Sequence, residues 1–291
     1  MGKMFRYSNK LNYLDVSSFD TQKVEDMSNM FYNCASLKYL DLRSFKTDKV
    51  TTFSLFLKDC KTLTSLDFSE LNVGNAVDLS SMFSGCSNLE KIDVSKFDTS
   101  KVTDMSYMFA ECSKLTSLAV SNFQVENVED MAAMFKGCQK IKELNLVNFK
   151  TQKVTDMSLM FSECLVLSSL DITHFDTSNV EDMYAMFNKV SVITSLDVSN
   201  FRTYKCTDMS QMFESCTKLT SLVLTNFDTV NVEDMSSMFK DCNRLEIEGI
   251  NKFDTRKVRD MSYMFKSTIW RREIDLSSFI TSRSEEHTSE L

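Results

Sequence analysis

Residues 101–123 read KVTDMSYMFAECSKLTSLAVSNF, and residues 153–175 read KVTDMSLMFSECLVLSSLDITHF. The second stretch nearly repeats the first, and their separation is two steps of a shorter period. The closing phenylalanine recurs at Phe19, Phe45, Phe97, Phe123, Phe149, Phe175, Phe201, Phe227, Phe253 and Phe279, with Leu71 filling the one gap. Each step is 26 residues. The Met-Phe pair keeps the same step from Met30-Phe31 to Met264-Phe265, with Phe56-Leu57 as its variant. A register held this long marks a repeat array, in which each copy is one rung of a stack.

One rung, Asp26 to Phe45, shows two apolar patterns. Met27, Met30, Phe31 and Cys34 fall at i, i+3, i+4 and i+7, the stripe of a short helix. Asp26 precedes it and recurs at 78, 104, 130, 156, 182, 208, 234 and 260, placed to accept hydrogen bonds from free N–H groups at the helix start. Leu40 and Leu42 then alternate with Asp41, the period of a strand buried on one face. The phrase FDTxxV turns the chain, its Asp and Thr suited to local side-chain-to-backbone bonds. The expected fold is an α/β solenoid of about eleven strand–turn–short-helix rungs, with a parallel sheet on the inner face. Strands stack about 4.8 Å apart and helices about 8–10 Å, so the array is expected to curve.

Residues 1–282 are expected to form a single solenoid. Met1 and Met4-Phe5 align with Met27 and Met30-Phe31, so the chain is expected to start inside a rung and to be cut at both ends. The stretch RSEEHTSEL, residues 283–291, fits no repeat column and reads as a translated sequencing adapter, expected to be disordered.

The 43% hydrophobic and 25% charged content suits a packed globular protein. A net charge of −8 argues against a nucleic-acid partner, which calls for a basic face. No apolar run nears the roughly 18 residues of a membrane span, so no membrane insertion is expected.

These residues carry a family likeness. The core Leu37-x-x-Leu40-x-Leu42-x-x-Phe45 resembles the leucine-rich repeat. The full unit LDxSxFDTxxVxDMxxMFxxCxxLxxL resembles the 26-residue repeat of BspA-like leucine-rich-repeat surface proteins, over essentially residues 1–282. The resemblance implies a noncatalytic module at a cell surface or secreted, used in adhesion or protein binding. Its partner would be a protein or glycan on a host or neighbouring cell surface, met by a monomer. The alternative is an intracellular leucine-rich-repeat scaffold for protein–protein interaction. Departures from the unit are local: Thr52 for the capping Asp, Val190 and Thr268 for the column Cys, Gly249 for the strand Asp, and Arg271 for a Leu.

Four columns raise the question of chemistry. Cys34, 60, 86, 112, 138, 164, 216 and 242 form one, and Cys206 stands where other rungs carry Val. No C-x-x-C spacing occurs, so the column reads as a ladder of free, buried, small apolar thiols. The methionine stripe reads as core. The strand aspartates Asp15, Asp41, Asp67, Asp93, Asp171, Asp197 and Asp275 offer either a stripe for a cation or basic partner, or local hydrogen bonds to backbone and Ser. Ala119, Asn145, Val223 and Gly249 interrupt this stripe. Lys101, Lys153, Lys205 and Lys257 alternate by rung with Glu129, Glu181 and Glu233, an arrangement expected to set each Lys beside a Glu-bearing neighbour.

No catalytic constellation repeats. His174 is the one histidine outside the tail, in a column otherwise filled by Ser, Lys, Asn or Glu, and reads as a surface variant. No catalytic residue, cofactor or metal site is expected. Candidate ligand-binding residues are the exposed strand positions Tyr39, Asp41, Arg43, Asp67, Lys91, Asp93, Asp171 and Asp197. The columns of Tyr39 and Lys91 and of Arg43 vary in side chain from rung to rung, and the aspartates between them belong to the stripe named above.

Overall fold

A computed structural model describes residues 1–68, 70 to 270 and 272–281. Ser69, the column variant Arg271 and the adapter-like tail lie outside the described residues. The chain winds as a solenoid of 26-residue rungs. Its strand side carries short parallel pairs: β1 (Tyr13–Leu14) with β2 (Tyr39–Leu40), and β3 (Glu143–Leu144) with β4 (Ser169–Leu170). A three-stranded piece follows, β5 (Ser221–Val223), β6 (Asn243–Glu248) and β7 (Ile269–Trp270). Leu14 pairs with Leu40 and Leu144 with Leu170, one period apart. In these two pairs each strand turns its leucine inward and its neighbour out.

The stretch expected to be a short helix is not one. Among the described residues there is no α-helix, only a 3-10 turn at Ile250–Lys252. Asn29 and Asn33 both take left-handed backbone (φ 57°), and the equivalent positions do so along the array, from Leu55 and Asp59 to Tyr263 and Ser267. The left-handed region is unfavourable for residues with a Cβ. Hydrogen bonds between rungs offset that cost. The N–H groups of Met27, Asn29, Phe31 and Asn33 donate to the carbonyls of Thr52, Ser54, Phe56 and Lys58 in the next rung, at 2.7 to 3.1 Å. Those of Met30, Tyr32 and Cys34 donate three residues back, within the rung. Alternate donors therefore serve the array and the rung.

This conformation repeats every four residues, so Met27 and Phe31, and likewise Met30 and Cys34, face the same way. All four are fully buried. The helical spacing in the sequence was real, but a different backbone produces it. With no helices, the wide spacing invoked as a cause of curvature is absent, since backbone bonds of ordinary length join the rungs on both sides.

The capping aspartates form a second backbone ladder. Nine parallel bridges run without a break from Asp26↔Thr52 to Asp234↔Asp260. Each Asp Oδ1 accepts the N–H two residues on, as Asp26 does from Ser28 at 2.7 Å and Asp156 from Ser158 at 2.8 Å. Thr52 does the same with its hydroxyl oxygen, accepting from Ser54 N–H at 3.2 Å, which explains why Thr is admitted there. The expected bonding to free N–H groups is present, but it closes a turn.

Inside, the apolar side chains form one continuous cluster from Val16 to Met264. Rings stack along it: Phe83, Phe109, Phe135, Phe161, Phe187, Phe213, Phe239 and Phe265 lie with centroids 5.5 to 6.2 Å apart and planes within 16°. Offset ring stacks of this kind contribute beyond the area they bury.

One rung slips. β5 pairs Leu222 with Ile247, an offset of 25, although the repeat sets Glu248 in that column. A glutamate cannot take the inward leucine place without an unpaired buried charge. The strand moves by one residue so that Ile247 takes it, and Gly249 absorbs the surplus at φ 92°. A Cβ there would meet the Thr225 nitrogen at 2.7 Å, so only glycine fits. Leu245 and Ile250 on either side stay buried.

Candidate binding face

The outward strand positions form a face running the length of the array. At one end Tyr13 and Tyr39 project from paired strands, 63% and 55% exposed, with rings stacked at 6.5 Å and 6°. Beside them Arg43 forks onto Asp41, its Nε 2.9 Å from Oδ1 and its terminal nitrogen 2.6 Å from Oδ2. Arg43 holds the Asp41 carboxyl down at about 2. Asp67, Lys91 and Asp93 follow on the next two rungs, all exposed. Asp171 and Asp197 share the column further along. Tyr39, Asp41 and Arg43 are thus neighbours, while the eight candidate residues together span a long strip rather than one pocket.

The strand aspartates are engaged locally. Asp93 Oδ1 accepts from Ser95 N–H at 2.9 Å, Asp171 from Thr173 N–H at 3.1 Å, and Asp197 from Ser199 N–H at 2.9 Å. The hydroxyls of Thr173 and Ser199 add second bonds at 2.7 and 2.6 Å. These side-chain and backbone bonds hold all three carboxyls below the usual range. Where Asn145 interrupts the stripe, its Oδ1 accepts from Val147 N–H at 3.2 Å. A neutral amide keeps the turn, so the turn, rather than the charge, is what the column requires. Among the described residues no group of three or more His, Cys, Asp or Glu is arranged to hold a metal ion.

Shallow hollows mark the face. One of 770 Å³ lies between Ile92 and Asp171, where Ala119 replaces the strand Asp with a small side chain. Another of 510 Å³ lies over the slipped rung, between Ser221 and Asp275.

Away from this face, the cysteine column is free and buried as its spacing implies, and three columns show bonds that the sequence does not reveal. All nine cysteines are free and buried. The column thiols are also donors: Cys60 Sγ lies 3.2 Å from the Phe31 carbonyl, Cys112 Sγ 3.3 Å from that of Phe83, and Cys164 Sγ 3.2 Å from that of Phe135. Each bond reaches into the preceding rung. Thr268 keeps it with a hydroxyl, 2.6 Å from the Phe239 carbonyl. That Thr in an otherwise thiol column was the available signal that the position donates. Burial pushes the thiols up, Cys86 and Cys164 to about 12.

The alternating lysines bond asparagines, and among the described residues none of them forms an ion pair with a glutamate. Lys153, Lys205 and Lys257 donate from Nζ to Oδ1 of Asn127, Asn179 and Asn231, at 2.7 to 2.8 Å, and Lys101 does so to Asn75. Lys and Asn alternate within one column. Each Asn also donates backward, Asn127 Nδ2 to the Ser100 carbonyl at 2.8 Å. A carboxamide can accept on one side and donate on the other, which neither a Lys nor a Glu can do.

His174 is a tie between rungs. Its Nε2 lies 2.7 Å from the Leu146 carbonyl, so this nitrogen carries the proton. Asn148 and Asn226 in the same column reach carbonyls one rung back in the same way. The imidazole is therefore occupied structurally. No helix among the described residues is long and apolar enough to cross a membrane.

Comparison with solved structures gives leucine-rich-repeat proteins at low similarity. A leucine-rich repeat protein from Bacteroides ovatus aligns at 17% identity and a TM-score of 0.43, over 83% of this chain and 62% of that one. A leucine-rich-repeat protein of Leptospira interrogans aligns at 15% identity and a TM-score of 0.31, over 75% and 56%. A leucine rich cell surface protein from Faecalibacterium prausnitzii aligns at 18% identity and 0.31, over 76% and 75%. The chain thus spans less than two thirds of the first two, and at these scores the fold rests on the rung geometry itself. No curated protein matches. The profile described as "Mycoplasma protein of unknown function, DUF285" matches residues 1–91, 77–195, 135–223 and 184–289, so between them the matches run from the first residue to Ile274 and beyond, and the chain belongs to that family.

Proposed function

We propose that this chain is a noncatalytic binding module of the BspA-like surface type, working as one unit over residues 1–282. It would engage a protein or glycan on a host or neighbouring cell through its strand face. One observation carries this reading. Ladders of Asp, Cys, Thr and Asn bind rung to rung on the turn side, where side-chain choice is tightly constrained. The outward strand column instead runs Tyr13, Tyr39, Ser65, Lys91, Ser117, Glu143 while the 26-residue step stays unbroken. A rigid frame with a freely varying face suits recognition, because little ordering is needed on binding.

Nine free buried thiols favour a second reading, a scaffold in a reducing compartment. The complete upstream coding sequence separates the two: a secretion signal supports display, and a leaderless start supports the scaffold.

The binding reading is tested with the fluorescently labelled chain on intact epithelial cells and on immobilised mucin and matrix proteins. Saturable binding is expected, lost in a Tyr39→Ala, Arg43→Glu, Lys91→Glu triple variant and kept in a Lys58→Glu variant on the turn side. Equal binding by both variants contradicts a strand-face site.

A further inference from the structure

The slipped rung shapes a second hollow on the strand face, set apart from the first by an indole in its lining, that of Trp270. Val223 stands in the column that carries aspartates on most rungs, and the slip sets Glu248 opposite it in place of Gly249. Val223, with Ile247 and Trp270 half-buried alongside, gives the 510 Å³ hollow an apolar floor. Val223 is 39% exposed there. The volume lies within the range of roughly 300–1,000 Å³ typical of ligand sites.

The rim is acidic. Glu246 is partnered by Arg272 at 3.7 Å. Asp275 accepts from Ser277 N–H at 3.0 Å and from Asn251 Nδ2 at 3.3 Å. Glu248 and Glu273 are exposed and form no ion pair among the described residues. The slip itself turns Glu248 outward, since Ile247 has taken the inward place. Two unpaired carboxylates therefore stand over an apolar floor that includes an indole.

We infer that this hollow takes a basic side chain, lysine or arginine, presented on an extended segment of a partner protein. The aliphatic stem of such a residue packs on Val223 and Ile247 while its head group meets Glu248 and Glu273. The Trp270 ring supplies a face for the cation. This rests on the reading that the strand face binds a partner, and adds where a basic residue is received.

Trp270 is the only tryptophan in the chain, so its emission reports on the hollow directly. The intact chain is titrated with a capped Ala-Arg-Ala-Lys-Ala peptide. The expected result is a saturable change in emission that a Glu248→Gln, Glu273→Gln variant weakens about tenfold or more. A Glu129→Gln, Glu181→Gln variant, with the same change in charge elsewhere, leaves it intact, and a capped Ala-Glu-Ala-Glu-Ala peptide produces none. The inference is overturned by an absent or unsaturable change, by an equal response to the acidic peptide, or by equal weakening in the two variants. If the peptide fails while cell or matrix binding through Tyr39, Arg43 and Lys91 persists, only this site is lost. If that binding fails too, the reading beneath it falls as well.

Discussion

The hydroxyl of Thr177 is bonded twice to the backbone of Arg202, one rung on: it donates to the Arg202 carbonyl at 3.1 Å and accepts the Arg202 N–H at 2.8 Å. The same double bond joins Thr21 to Lys46, Thr47 to Asn72, Thr99 to Gln124 and Thr229 to Asp254. These threonines are almost wholly buried. Valine has the same shape and no hydroxyl, so Thr177→Val leaves a buried donor and acceptor exposed to loss. It is expected to cost about 1–3 kcal/mol in urea unfolding. Thr177→Ser, which keeps both bonds, is expected to cost less than about 1 kcal/mol. Equal costs would show that the bonds contribute nothing.

The native array contains a partial control. Val125 occupies this column, and opposite it the Lys150 N–H turns to the Asn148 carbonyl at 3.0 Å. Relief of that kind sets the lower end of the expected range.

The thiols are expected to be inert in the folded protein. Reaction with iodoacetamide needs a thiolate and access. Burial denies both, with Cys34 raised to about 11 and Cys242 to about 12. Intact-mass measurement after brief alkylation at mildly alkaline pH should show no adduct, and nine adducts in guanidinium. Rapid labelling of several cysteines under native conditions would show that the column is not closed.

Acidity acts on the stacked aspartates in two directions. Burial, reinforced by the neighbouring column carboxylates, pushes Asp130 and Asp182 up to about 6. Their raised values give a contribution to stability that is full below the unfolded value near 4 and lost as pH rises through about 6. On the strand face the lowered groups, Asp41 at about 2 among them, act oppositely, their contribution being lost as pH falls. In the stack, Asp78, Asp104 and Asp208 each receive an extra bond from the hydroxyl of Ser80, Ser106 or Ser210 at 2.6 to 2.7 Å. Asp130 and Asp182 have Ala132 and Tyr184 there. An Ala132→Ser, Tyr184→Ser variant is therefore expected to lose less Tm than the parent between about pH 5 and pH 7. After discounting for solvent screening, the difference should correspond to about 1 kcal/mol per site. Parallel Tm profiles for parent and variant would refute the assignment.

Gly249→Ala is expected to disturb the slipped rung, because a Cβ would strike the Thr225 backbone at a left-handed φ. Its cost should be about 1–3 kcal/mol, with a shift in Trp270 emission as the β5–β6 pairing opens. Gly74→Ala, whose Cβ would meet only side chains, those of Asn72 at 3.2 Å and Asp98 at 3.4 Å, is expected to stay within about 0.5 kcal/mol. The reverse ranking would mean that the slip does not depend on Gly249.

Much of the array is legible from spacing alone. The 26-residue step of Phe149, Phe175 and Phe201 declares the rungs, and the inward columns of Leu40 and Met27 declare the core. The backbone around Phe31 is not legible in the same way, because a turn repeating every four residues and an α-helix place the same residues inside. Gly85 and Gly137 were the clue, since they occupy a left-handed column that a helix interior disfavours (φ 73° and 68°). Partners across rungs were also hidden. The alternation points Lys153 at Glu129, two columns over, whereas its partner Asn127 lies in its own column one rung back. The offset of 25 that brings Thr177 to Arg202 follows from how the turns nest, which composition does not reveal. The candidate face is legible as a set of varying positions, but the hollow at Gly249 appears only once the strand has slipped.

The central claim is that successive 26-mers stack as equal turns with their strands side by side. Spin labels at Ser65 paired with Ser117, Ser169 or Ser195 measure this by pulsed electron–electron double resonance. All four positions are exposed in one outward column. Separations that grow by about 5 Å for each intervening rung are expected, to about 24 Å at Ser195. Separations that fail to increase with rung number would contradict the stack.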